Sequence, residues 1–379
     1  MDISFKIDPE VLIGAETLSM AGTIACRHGS RIMIAADHSL DSSVVNRLKE
    51  ILIDAGLDAI IFDGIEESSS VEMSDNIVDL TMASHCDAII AFGGEKAQII
   101  ARMAAIMAPM RISSFDLLEG RVFQNKIMPL ISIPTEGMSA FSMTEYFIAA
   151  DPRQRLVKSI PSPHGLYSAV IVDWNLFNFL SDASAPSRTI ENFFFAVEAY
   201  CSIRSNFLSD TLLEKAIGIY AKLLRGSGGA AGSGINPELF AQASFLTALG
   251  SSISSPGIGA ALSMAINARA PVAKHLCSAA LFPCLAQRLV SARPEKMSRV
   301  ATLLGAPKAA SVAESAASAV NAINQTMTSL NVSANLKDHG ITLDRLTAAS
   351  EAARSLDLTA NSPWTVSEEE MFKILKEII

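Results

Sequence analysis

A chain of 379 residues exceeds what a single hydrophobic core usually serves, so two domains are expected. Half of the residues are hydrophobic and 18% are charged, ample material for compact cores, yet no clean run of about 20 apolar residues marks a membrane span. The formal net charge of −9, without a Lys/Arg cluster, argues against nucleic acid as a partner, because phosphate neutralisation needs a basic footprint. The first residues, Met1 to Lys6, form neither a basic nor an apolar leader, so a cytoplasmic location is the expectation. The five cysteines (Cys26, Cys86, Cys201, Cys277, Cys284) include no CxxC pair and read as small buried hydrophobes.

Taken in chain order, the first half alternates short β-branched runs with helical stretches. Strands are predicted over Arg31–Ala36, Asp58–Phe62, Asp87–Phe92, Leu130–Ile133 and Ala169–Val172, with helices over Ser43–Ala55 and Ser74–Ser84 and another after Gly93-Gly94. Such alternation implies βαβ units and a mostly parallel sheet. From about Pro186 the periodicity turns purely helical: Ile190–Ser205, Asp210–Leu224, Pro237–Gly250, Gly257–Ala268, Leu276–Ser291 and, in the tail, Ser367–Ile378. The expected architecture is therefore an α/β domain over 1–185 and an all-α domain over 186–379. The Gly/Ser-rich stretch Arg225–Gly234 has no P-loop spacing and follows no strand, so it reads as a loop. No Gly-x-Ser-x-Gly elbow or Cys/His pairing signals a hydrolase. The acidic run Glu368–Glu370 reads as a solvated first helical turn.

Three stretches carry chemistry. In the first, the strand ending at Phe92 runs through Gly93-Gly94-Glu95-Lys96 to Arg102; glycines there allow close backbone approach, and a helix N-terminus offers free N–H groups to a phosphate. The second is Pro134-Thr135-Glu136-Gly137-Met138-Ser139 through Thr144, followed by Lys158 and the strand ending at Asp173. The third is Glu191 to Tyr200, with Phe195 one turn after Glu191, then Gly257-Ile-Gly-Ala-Ala-Leu262, Ile266 and Lys274-His275-Leu276.

In order and spacing these stretches resemble the iron-containing alcohol dehydrogenase family, over nearly the whole chain. The resemblance implies a nucleotide-binding α/β domain, an all-helical metal domain, and an oxidoreductase that moves a hydride between NAD(H) and a small alcohol or aldehyde held between the domains. A homodimer is also carried over from it. The cofactor positions it implies are Asp37, Gly93, Gly94, Lys96, Thr135, Ser139, Thr144 and Lys158. Asp37 has two readings, a ribose-binding acid that favours NAD over NADP and a strand-end turn residue. Glu95 and Glu136 fall where the family has uncharged groups beside the pyrophosphate. Of the family's metal positions only Glu191 and His275 keep donor side chains; Phe195, Leu262 and Ile266 stand where it has histidines. Glu191 reads alternatively as a helix N-terminal acid after Ser187 and Thr189, and His275 as a loop histidine. Two donors are too few for Lewis-acid work, which takes three or four, so iron or zinc is not expected unless His164 or Asp182 joins. The alternative function is a non-catalytic or repurposed small-molecule-binding member of the same fold.

Overall fold

The computed structural model describes residues 7–121, 127–162, 167–227 and 234–379, and they form two compact units. The first comprises residues up to Met138 together with Thr144–Gln154 and Lys158–Asn178; the second comprises Ser139–Met143, Arg155–Val157 and Phe179–Ile379. His164 and most of the Gly/Ser-rich stretch lie outside the described residues. No single helix among those described is long and apolar enough to cross a membrane. All five cysteines are free; Cys26 is exposed and the other four are buried.

In the first unit the order is β1 (Glu10–Gly14), α1 (Ala21–Ala25), β2 (Arg31–Asp37), α2 (Ser42–Asp54), β3 (Asp58–Ile65), α3 (Met73–Ala83), β4 (Ala88–Gly93), α4 (Glu95–Met110), α5 (Ser114–Leu118), β5 (Leu130–Pro134), β6 (Tyr146–Asp151), β7 (Leu156–Pro161) and β8 (Ala169–Asp173). Six strands form one sheet in the order β1-β8-β5-β4-β2-β3, every pairing parallel. β4, β5 and β8 are buried along their whole length. Their largely apolar sequences follow from that, because a parallel sheet covered on both faces leaves no polar side. The edge strand β1 was not predicted: Glu10-Val-Leu-Ile-Gly14 is short and only half-buried. β6 and β7 form a separate two-stranded sheet, also unpredicted.

Local signals explain the helices. Val45, Leu48 and Leu52 give α2 one buried face, and the Asp41 side chain accepts the Ser43 N–H to start it. α4 is buried nearly all round, which is why it reads as Ala/Met/Ile with no clear polar face. Arg102, in the middle of this helix, is fully buried. The guanidinium donates to the Thr144 carbonyl at 2.7 Å and lies 5.0 Å from the Phe147 ring centroid.

The second unit contains α6 (Ala185–Cys201), α7 (Phe207–Ser227), α8 (Pro237–Ile253), α9 (Ile258–Arg269), α10 (Lys274–Ala292), α11 (Pro294–Leu303), α12 (Val312–Ser329), α13 (Leu343–Arg354) and α14 (Glu368–Glu377). Helix α6 is central, packing on α7, α8, α9 and α10. Its Phe193 and Phe194 stack on Phe282 of α10 at 5.3 and 4.8 Å. The Ser184 N-cap starts α6 five residues before the predicted Ile190, and α10 begins at Lys274 rather than Leu276. Two site residues change character as a result. Glu191 is a buried residue of the second helical turn, not an N-terminal acid, and His275 lies in the first turn of a helix, not in a loop.

The retained Gly257-x-Gly259 pair has a structural use. Glu198 of α6 is buried, and its two oxygens accept the Gly259 and Ala260 N–H groups at 2.7 and 2.9 Å, capping α9 from another helix. A Cβ on Gly259 would stand 2.2 Å from the Phe194 ring, so only glycine permits this approach. The acidic run opens α14 as expected: Ser367 caps it, while Glu369 and Glu370 pair with Lys373 and Arg288.

Candidate functional site

Strand order locates the first candidate site. From β2 the chain moves outward to β3, then returns to the other side of β2 for β4 and β5, so the order reverses between β2 and β4. Open parallel sheets bind ligands at such a reversal, outside the carboxyl ends of the strands. Asp37 ends β2, Gly93 ends β4 and Thr135 follows β5; the Thr135 N–H donates to the Gly93 carbonyl at 3.1 Å. Gly93 has φ +149°, and a Cβ there would lie 2.4 Å from the Asp37 Cβ. The first glycine therefore serves the close approach of β4 to β2 and the turn into α4. Gly94 is the N-cap of α4, which leaves the first-turn N–H groups at the reversal.

Glu136 occupies part of this position. A Cβ on Gly94 would stand 2.5 Å from Glu136 Oε2, so the carboxylate lies directly over the glycine at the N-terminus of α4. An anion is favoured there by the helix dipole, and the chain supplies its own. Asp37 uses Oδ1 to close its own turn, accepting the Ser39 N–H at 2.9 Å and the Ser39 hydroxyl at 2.8 Å. Gln98, which the sequence reading passed over, ties the turn together. Its amide donates to the Ala91 and Gly93 carbonyls, and its oxygen accepts from the Ser132 hydroxyl.

The other implied cofactor residues have settings of their own. Lys96 is half-buried at the second position of α4. Ser139 belongs to the second unit, where its hydroxyl accepts the Phe141 N–H at 3.4 Å. The Thr144 hydroxyl donates to the Tyr146 carbonyl. Lys158, on β7, pairs with the buried Asp151 at 3.0 Å; burial pushes the Asp151 carboxyl up, but the hydrogen bonds from Lys158, from the Arg153 side chain and from the Arg153 and Gln154 N–H groups together hold it below its ordinary range. Lys158 thus acts within the β6–β7 sheet.

In the second unit the metal-type positions assemble differently from the expectation. Glu191 and His275 engage different partners. His275 Nδ1 shares a hydrogen bond with the Ser187 hydroxyl at 2.9 Å, one turn before Glu191 on α6. Glu191 instead accepts the Ser278 hydroxyl at 3.0 Å, and Lys274 Nζ stands 3.7 Å from the same carboxylate oxygen. The Lys274 ammonium also lies 5.8 Å from the centroid of the Phe195 ring, against which Phe141 packs edge-on at 6.3 Å. Leu262 and Ile266 are fully buried in α9. Among the described residues no group of three or more His, Cys, Asp or Glu side chains is placed to hold a metal ion. Lys274 and Ser278 were missed because they matter only once α10 is seen to start at Lys274, which puts the two on one face, one turn apart.

Burial pushes the His275 imidazole down to about 4, helped by the nearby charges of Arg188, Lys274 and His339. The unfolded chain takes up this proton near pH 6.5 and the folded chain refuses it, so the associated stability is full above pH 6.5 and is lost as pH falls toward 4. The expected loss is up to about 3 kcal/mol. Urea unfolding at pH 7, 5.5 and 4.5 should show a flatter pH dependence for His275→Gln than for the unsubstituted chain; parallel curves would mean that His275 titrates normally.

The described residues define a two-unit protein, with one parallel α/β unit and one helical unit. Comparison narrows the class. Residues 8–174 match the family model "Iron-containing alcohol dehydrogenase" and residues 187–379 match "Fe-containing alcohol dehydrogenase family, C-terminal". The chain belongs to the iron-containing alcohol dehydrogenase family. It is 24% identical over 350 residues to lactaldehyde reductase of Escherichia coli K12, with 91% of each protein covered. A crystal structure of 1,3-propanediol oxidoreductase superposes with a TM-score of 0.92 at 20% identity, covering all of both chains. Sulfoacetaldehyde reductase from Bifidobacterium kashiwanohense, solved in complex with NAD+, has a TM-score of 0.82 at 16% identity, covering 100% of this chain and 99% of that one. These structural likenesses establish the fold.

Proposed function

We propose that this chain is an NAD(H)-linked oxidoreductase for a small alcohol–aldehyde pair that works without a catalytic iron or zinc ion. The observation that carries this reading is the convergence of Asp37, Gly93-Gly94 and Thr135 where the strand order reverses. The N–H groups opening α4 suit a pyrophosphate, and an acid at position 37 favours NAD by repelling the 2′-phosphate of NADP. Relatives named for lactaldehyde and 1,3-propanediol support a small substrate. A bound reduced dinucleotide supplies the hydride; the chain's part is to hold the pyrophosphate at α4 and the ribose near Asp37.

The metal-type residues do not fit an iron or zinc ion. Such an ion takes three or four N, O or S donors plus an open position. Phe195, Leu262 and Ile266 offer hydrocarbon, His275 is engaged with Ser187, and the remaining acid, Glu191, faces an ammonium. In this respect the chain departs from the chemistry for which its family is named.

The Glu136 carboxylate over Gly94 favours a second reading, a non-catalytic member that binds another small molecule. NADH titration followed by fluorescence, elemental analysis, and NADH oxidation with short aliphatic aldehydes in excess EDTA separate the two. The first reading expects saturable NADH binding, substoichiometric iron and zinc, and chelator-insensitive turnover. Stoichiometric metal would overturn the metal-free claim, and absence of saturable NADH binding would hand the case to the second reading.

A further inference from the structure

We propose that Lys274 is a built-in cation that takes the place of the family's metal ion and presents its charge to the substrate oxygen. The inference rests on the oxidoreductase reading above for its catalytic half only. Its structural half rests on three observations within the second unit. Lys274 Nζ stands 3.7 Å from Glu191 Oε1, the acid at the position where the family keeps a metal-binding carboxylate. The same ammonium lies over the ring of Phe195, which replaces a metal-type histidine, at 5.8 Å from its centroid. Both charged side chains are largely shielded, 18% exposed for Lys274 and 12% for Glu191, and Ser278 fixes the carboxylate through a 3.0 Å hydrogen bond.

These substitutions make sense together. A positive charge fixed between an acid and an aromatic face needs no imidazole donors, and an imidazole at position 195 would compete with the ammonium for Glu191. A phenylalanine face instead favours a cation electrostatically. A lysine is suited to the place because its ammonium is a compact point charge on a flexible stem that can follow a substrate. Coming from the first turn of α10, Lys274 reaches Glu191 across the helix pair, while its neighbour His275 turns to Ser187.

A bound reduced dinucleotide would supply, from its C4–H bond, the hydride that forms the new C–H bond at the aldehyde carbon. The carbonyl π pair moves to oxygen and solvent delivers the proton that completes the alcohol, leaving oxidised dinucleotide. Lys274 stabilises the developing oxyanion by hydrogen bonding and charge, the service a metal performs elsewhere.

Two experiments test the halves separately. For placement, zinc affinity is measured by equilibrium dialysis on the full chain carrying Phe195→His with Leu262→His, and on the same chain with Lys274→Met added. If the ammonium stands where the ion would, removing it should tighten zinc binding by about 100-fold or more, since a cation within a few ångströms repels another strongly; equal affinities would overturn the placement. For catalysis, Lys274→Met should lower kcat for aldehyde reduction in EDTA by about 100-fold or more, the scale seen when an oxyanion-stabilising group is removed. NADH affinity should stay unchanged, and Lys274→Arg should recover part of the rate. Undiminished turnover in Lys274→Met would overturn the catalytic role. An unsubstituted chain that binds NADH but reduces no aldehyde would sink the oxidoreductase reading and that role together, with the zinc comparison still deciding placement.

Discussion

Glu136→Thr is expected to tighten NADH binding by about 100-fold. The carboxylate lies over Gly94 at the start of α4, where a pyrophosphate would meet the first-turn N–H groups. Two unit charges about 4 Å apart cost about 4 kcal/mol at an effective dielectric of 20, and partial withdrawal of the carboxylate on binding would lower that to about 2.7 kcal/mol, or a hundredfold. Threonine removes the charge and restores the residue type that the family resemblance places here. Glu136→Gln separates charge from size, because it keeps the bulk and should recover most of the gain. Losing an anion from the helix N-terminus should cost about 0.3–1 kcal/mol of stability, too little to unfold the domain. Fluorescence titration of the three proteins decides the matter. An unchanged dissociation constant in Glu136→Thr would show that the carboxylate does not compete with the dinucleotide.

The second large effect falls on stability. Glu198→Ala should destabilise the protein by about 3–5 kcal/mol, because two buried N–H groups at the start of α9 lose their acceptor. Each such group costs about 1–3 kcal/mol when left unpaired, and the vacated space adds to the loss. Burial raises the Glu198 carboxyl to about 7 against the pull of the Gly259, Ala260 and Gly257 amides. Neutral pH therefore holds both its protonation states, and Glu198→Gln, an isostere of the protonated form, should lose only about 1–2 kcal/mol. Denaturant unfolding at pH 7 measures both variants. A Glu198→Ala midpoint indistinguishable from that of the unsubstituted chain would mean that α9 does not depend on this cap.

The two results would separate conservation of form from conservation of chemistry in this chain. Gly257-x-Gly259 looks like a remnant of a metal-binding helix when seen beside the lost histidine types, yet Glu198 and Phe194 demand Gly259 for packing alone. Gly93 is similar: the Asp37 Cβ presses on it whether or not a dinucleotide follows. Glu136 and Lys274 differ from these, since no packing rule requires a carboxylate over a helix N-terminus or an ammonium over an aromatic ring.

The sequence alone determined the strands that are buried on both faces, because the interiors of β2, β4, β5 and β8 are almost wholly apolar, and it determined the helical second half through its 3.6-residue periodicity. It also determined which donor types are missing, since Phe195, Leu262 and Ile266 cannot bind an ion wherever they lie. Tertiary structure decided what periodicity cannot carry. The half-exposed edge strand β1 and the small β6–β7 sheet have no long apolar signature, and the reversal between β2 and β4 is a matter of strand order. Above all, partner choice is a long-range event: Lys274 finds Glu191, His275 finds Ser187 and Lys158 finds Asp151 only because the position at which each helix or strand begins fixes the direction its side chains take.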